Sequence, residues 1–159
     1  MPFYIVEPEV PGRFGKQCVF KDRLARPPVV EKLHYEFDGW SGDDLLSVIL
    51  TYIGTLRLAA ALQKLDPPVS GVEFDDVVVT KSSEYRRWGE LQPDNLDDFV
   101  WLKINGDVGV DDFGIAGRQQ VGVADRYLVV SERVLATLRS LNFSQGTAVE
   151  YLHPSSRSM

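Results

Sequence analysis

The chain has 159 residues, 44% of them hydrophobic and 11% aromatic, which is about one domain's length with enough apolar mass for a sizeable core and excludes disorder as a class. A single cysteine, Cys18, excludes an internal disulfide and any multi-cysteine zinc site. The net charge of −6 is uneven: residues 34–112 carry 16 acidic against 6 basic side chains, the flanks 7 against 11, and such a middle repels nucleic-acid phosphates and attracts a cationic partner.

Phe3 to Val6 reads as a short strand, closed by Glu7-Pro8 and the turn Val10-Pro11-Gly12. A second short strand is expected over Gln17 to Phe20. Pro27-Pro28 sets an extended approach to Val29-Val30, and Leu33, Tyr35 and Phe37 alternate as in a half-buried strand. Asp38 to Gly42 is a tight loop, and Asp43-Asp44 is expected to open a brief helical turn, where carboxylates suit the positive helix end. The longest apolar stretch, Leu45 to Ile53, is interrupted by Ser47 and Thr51 and is too short for a membrane span of about 18 residues or more. A helix from Thr55 stops at Asp66-Pro67-Pro68, because proline cannot continue it. Val72, Phe74, Val77 and Val79 mark one or two strands broken at Asp75-Asp76, and Ser82 to Leu91 is weakly helical. Pro93 to Asp98 is an acidic loop. Phe99 to Ile104 is a strand, followed by the strong hairpin signal Asn105-Gly106. Glycine-rich Val108 to Gln120 is expected to be irregular. Tyr127 to Val130 is an apolar run before the last helix, and residues 153–159 form a frayed tail.

One passage is stated twice, 76 positions apart: Thr55 to Asp66 reappears as Ser131 to Asn142. A hydroxyl residue suited to N-capping opens each copy. Leu58, Leu62 and Leu65 match Val134, Leu138 and Leu141 on one helix face, and Arg57 matches Arg133. Val72-Glu73-Phe74 and Val149-Glu150-Tyr151 trail the two helices, with one extra residue in the second copy. The expected fold is α+β: a single domain over residues 1–152, with a mixed, mostly antiparallel sheet and two pseudo-repeated strand–helix–strand units whose leucine faces pack on it.

Chemistry is sparsely signalled. His34 lies opposite Leu33, Tyr35 and Phe37 and reads as a solvated strand residue; His153 borders the tail. Cys18 reads as a small buried hydrophobe, and no signature supports a Cys18–His34 nucleophile pair. Asp43-Asp44, Asp75-Asp76, Asp97-Asp98 and Asp111-Asp112 are acidic doublets, but magnesium binding or acid–base work needs geometry that doublets do not specify. Asp112-Phe113-Gly114 copies a kinase tripeptide without the motifs that accompany it, and neither GxxxxGK nor GxSxG is present. No catalytic, cofactor-binding or metal-binding residue is assigned, and no cofactor is expected.

Lys32 to Trp40, Gly71 to Val77, Trp101 to Ile104, Asp111-Asp112-Phe113 and Leu128-Val129-Val130-Ser131-Glu132-Arg133 occur in an order that resembles the myxobacterial-type family of immunity proteins from bacterial polymorphic toxin systems. The resemblance covers roughly residues 30–152 and implies a non-catalytic cytoplasmic protein that binds and neutralises a cognate toxin from an adjacent gene. It assigns no site. A reducing compartment also suits the single cysteine, and the start of the chain shows no basic-then-apolar secretory pattern. The alternatives are another interaction module of a toxin-delivery locus, or a carboxylate-dependent enzyme, with or without a metal. For a protein partner, the expected surface combines Asp43, Asp44, Asp94, Asp97 and Asp98 with Trp88 as an aromatic anchor. Two segments carry these features, Asp38 to Asp44 with Trp40 and Tyr85 to Asp98 with Trp88, and for each tryptophan the other reading is ordinary core; Trp101, inside a strand, is assigned to the core.

Overall fold

The computed structural model describes residues 2–25, 27–87, 98–120 and 123–152. Strand dominates: thirteen strands and three helices form among the described residues, in several mostly antiparallel sheets. The class is α+β.

The first of the two longer helices sets the pattern for the second. The apolar run after Asp44 folds back on itself as a hairpin of β6 (Leu45–Val48) and β7 (Thr51–Thr55), and α1 (Leu56–Gln63) starts directly from its end. After α1 the chain returns as β8 (Val72–Asp75). β10 (Phe99–Ile104) inserts between β7 and β8, antiparallel to both, giving the order β6-β7-β10-β8. Likewise β11 (Phe113–Gln120) and β12 (Val123–Ser131) form a hairpin, α3 (Glu132–Ser140) follows, and the chain returns as β13 (Thr147–Tyr151). Here the inserted strand is β1 (Phe3–Glu7), giving β11-β12-β1-β13. In both sheets the capping residue pairs with the first residue of the inserted strand: Thr55 with Phe99 and Ser131 with Phe3.

The expected single sheet is therefore two four-stranded sheets. Each helix has one apolar stripe, and a core shared by both sheets buries both stripes at once. Leu58 and Leu62 of α1 and Val134, Leu135 and Leu138 of α3 join Leu45, Tyr52 and Leu102 from one sheet and Val6, Phe113, Leu128 and Val130 from the other in one cluster. The trailing strands do not align as the sequence suggests. Val72 packs against this cluster, but Val149 is 60% exposed and Ala148 takes the inward place; a one-residue offset reverses the faces of a strand.

The β6-β7-β10-β8 sheet is covered on its other face too. β2 (Gly12–Phe14), β5 (His34–Phe37) and β9 (Val78–Lys81) make a three-stranded sheet, with β5 and β9 parallel. Leu33, Tyr35 and Phe37 pack on Leu46, Val48, Ile53, Phe99 and Trp101, together with Trp40 and with Tyr85 of α2 (Ser83–Arg87). Trp101, assigned to the core, lies in it, and Trp40 takes its core reading there too. β3 (Val19–Asp22) and β4 (Val29–Lys32) form a separate, irregular hairpin.

Four local expectations change. Asp43-Asp44 starts no helix; it leads into β6, because its carboxylates bind loops elsewhere in the chain. Glycine-rich 113–120 is a strand, held by continuous pairing with β12. Asn105-Gly106 makes no hairpin, since β10 pairs with β7 and β8 and not with β11. Val10-Pro11-Gly12 makes no turn: Gly12 is the first residue of β2, and Pro11 O accepts from Asp38 N and Gly39 N beyond β5.

Candidate functional site

A hydroxyl at an N-cap and an arginine two residues later are both donors, and in each unit they converge on one buried aspartate. Asp44 precedes β6 and Asp112 precedes β11, each opposite the cap across its hairpin: Thr55 N donates to Asp44 O at 3.0 Å and Ser131 N to Asp112 O at 2.9 Å. Thr55 Oγ1 donates to Asp44 Oδ1 and accepts from Leu58 N. Arg57 then grips both carboxylate oxygens, Nε to Oδ1 at 2.6 Å and Nη2 to Oδ2 at 2.8 Å. In the second unit Ser131 Oγ donates to Asp112 Oδ1 at 2.6 Å and accepts from Val134 N. Arg133 donates to the same carboxylate through Nε at 2.9 Å and Nη2 at 2.7 Å. Two-point guanidinium–carboxylate pairs of this kind combine strength with fixed geometry.

Each aspartate also reaches the loop that leaves the other unit's helix. Asn142 N, just past α3, donates to Asp44 Oδ2 at 2.8 Å. Ser70 N, past α1, donates to Asp112 Oδ2 at 2.9 Å. Arg133 adds bonds to Pro67 O and Pro68 O. Asp43 extends the first arrangement: Ser144 N, Gln145 N and Gly146 N all donate to its carboxylate.

The electrostatics follow from these donors. At Asp44 burial alone would raise the carboxyl, but Arg57, Thr55 and the Asn142 amide outweigh it and hold it below the usual carboxylate range. At Asp112 the Arg133 guanidinium is the largest influence and holds the carboxyl well below that range. Both are fixed anions whose oxygens are already engaged.

Asp43 and Asp44, expected on a partner-facing surface, are instead fully buried. Their polar character is spent on amides and on Arg57. Asp98 is exposed, and its carbonyl accepts from Leu56 N at the start of α1. Trp88, Asp94 and Asp97 lie outside the described residues, as does His153. The loop from Asp38 does border solvent: Glu9, Val10, Asp38, Gly39, Trp40 and Ser41 help line a cleft of about 470 Å³. Ser41 Oγ donates to Glu9 Oε2 at 2.7 Å, and burial pushes the Glu9 carboxyl up. Trp40 itself is 7% exposed, and its Nε1 donates to Asp43 O.

His34 is buried, not solvated. The turn between β2 and β3 covers it: Gln17 N donates to Nδ1, which leaves the proton on Nε2 to be donated to Thr80 Oγ1 at 2.7 Å. Burial lowers its pKa, so the ring is neutral. Gly15 is obligatory beneath it, because a Cβ there would collide with the imidazole. Cys18, half-buried, meets the backbone of His34 and not its ring: Sγ donates to His34 O and accepts from His34 N, both at 3.1 Å. Burial pushes the thiol up, away from thiolate chemistry.

The sequence marked the caps, the arginines and the acidic doublets separately; Ser70 carried no signal. Their convergence was missed because the acceptor stands 11 residues before its cap in one unit and 19 in the other. A capping hydroxyl followed two residues later by an arginine, repeated in both copies, was the available clue to a shared acceptor. Among the described residues no cluster of three or more His, Cys, Asp or Glu side chains is arranged to hold a metal, and no helix is long and apolar enough to cross a membrane. No family model matches the chain, nor does any curated protein or solved structure.

Proposed function

We propose that this protein is a non-catalytic immunity protein that binds a cognate bacterial toxin in the cytoplasm and neutralises it. The observation that carries the reading is the division of its polar groups. Among the described residues, the buried carboxylates of Asp43, Asp44 and Asp112 and the buried imidazole of His34 are bound internally. Exposed charge is what a second molecule meets, and among the described residues of 34–112 its balance is acidic: seven exposed carboxylates, Glu73, Asp75, Asp76 and Asp98 among them, against the four exposed cations Arg57, Lys64, Arg86 and Arg87. Such a surface suits a cationic toxin face and speeds encounter with it. The family-like order of motifs supports the same reading.

Purified protein mixed with the product of the adjacent gene tests it, alongside co-expression for protection. A complex and protection are expected; neither, with any neighbouring product, sinks the proposal. Asp98→Lys should slow association and flatten its salt dependence while leaving the fold intact. Metal-dependent turnover lost in Asp111→Asn would instead identify an enzyme.

We also infer that the two β-β-α-β units, each completed by an inserted strand, are copies of one unit. The shared strand order, the register of the inserted strands and the aspartate–cap–arginine triads support this. The inserted strand comes from later in the chain in one copy, β10, and from its beginning in the other, β1.

A further inference from the structure

We infer that Asp44 and Asp112 form a reciprocal latch, each fastening its own unit's helix start to the other unit's helix exit. The inference stands on geometry and is independent of the proposed partner. A carboxylate that bonded only its own cap and arginine would stabilise one helix and nothing else. Asp44 has a third arm on Asn142 N, 98 residues away, and Asp112 one on Ser70 N, 42 residues back. The exchange is crosswise: the first unit's aspartate holds the exit of α3, and the second unit's holds the exit of α1.

Both exits receive more than one bond from the opposite unit. Around Asn142 the backbone turns several amides inward, and Asp43 takes those of Ser144, Gln145 and Gly146. Asp44 N also donates to Asn142 O at 2.9 Å. Around Ser70 the hydroxyl accepts from Asp112 N at 3.1 Å, Phe113 N donates to Ser70 O, and Arg133 holds Pro67 O and Pro68 O. Amides converging on a buried anion form a concavity that stays ordered only while the anion is there. The latch thus makes each exit loop depend on a residue of the opposite unit, and local opening should follow that crossed pattern.

Hydrogen exchange on the full chain reads this directly. In Asp44→Asn the amide of residue 142 should exchange about tenfold faster or more, and in Asp43→Asn those of residues 144–146, with those around 70–72 nearly unchanged in both. In Asp112→Asn the pattern should reverse. The scale follows from losing a charge-assisted bond at a buried site. Faster exchange confined to each variant's own helix start, 55–58 or 131–134, would overturn the latch, and so would equal rises at both exits in Asp44→Asn and Asp112→Asn alike. Arg133→Lys covers the case in which an asparagine variant does not fold. It leaves a cation beside Asp112 but cannot reproduce the bonds to Pro67 O and Pro68 O. It should speed exchange at residues 69–71, the amides that follow the two prolines, and unchanged protection there would equally overturn the proposal.

Discussion

Asp112 illustrates how one side chain sets the pH range of the fold. Its folded-state pKa lies well below the ordinary value because Arg133, Ser131 and the Ser70 amide all favour the ionised form. The unfolded chain therefore binds more protons in acid. The stabilisation is fully present above the unfolded carboxylate value and is lost as pH falls toward the folded one. Asp44 acts in the same direction. Asp112→Asn should lower stability at neutral pH by about 3 kcal/mol, since it leaves Arg133 facing a neutral amide at a buried site. It should also flatten the loss of stability between about pH 5 and pH 2. Chemical denaturation across that range checks both; an undiminished acid slope would move the effect to other carboxylates.

At the level of elements, the helical stripes were legible and the turns were not. The spacing of Leu58 and Leu62, and of Val134 and Leu138, identified the buried faces, and all four side chains are at most 1% exposed. Leu62→Ala and Leu138→Ala should each cost about 2–5 kcal/mol in thermal or chemical unfolding; a loss under about 0.5 kcal/mol at both would contradict their place in the core. Hairpins read the other way round. Asn105-Gly106 carries the favoured turn residues but closes no hairpin, because its strand pairs elsewhere. The β6–β7 hairpin closes through Ile49 and Leu50, whose φ angles are 39° and 58°. A two-residue loop with both φ positive is the type I′ turn, which favours Asn-Gly and penalises a β-branched residue. Tertiary pairing of both strands, buried along their whole length, overrides that local cost. Replacing Ile49 and Leu50 with Asn and Gly should therefore raise stability by roughly 1 kcal/mol, read as a higher denaturation midpoint with an unchanged slope. His34 and the acceptor roles of Asp44 and Asp112 were illegible for a related reason: each depends on loops or strands distant in sequence, which periodicity does not report.

Across the whole molecule, the two apolar clusters are joined through the backbone of a single sheet. Neighbouring residues alternate between them: Leu45 faces the helices while Leu46 faces the three-stranded sheet, and Tyr52 and Ile53 divide in the same way. Neither face can lose its packing without exposing the other side of the same strands, so the clusters should unfold together. Trp40 and Trp101 sit in the second cluster and α1 and α3 in the first, which gives each a separate probe. In a Trp88→Phe background, tryptophan fluorescence reports the second cluster and the far-ultraviolet helical signal the first. Their denaturation curves should superpose, with one midpoint and one slope, as for a two-state transition. The shared strands β6, β7 and β10 are what enforce this, because they contribute side chains to both clusters. Fluorescence that changes well before the helical signal would mean that the three-stranded sheet and Trp40 separate first, and that the continuous backbone of these strands does not couple the two faces.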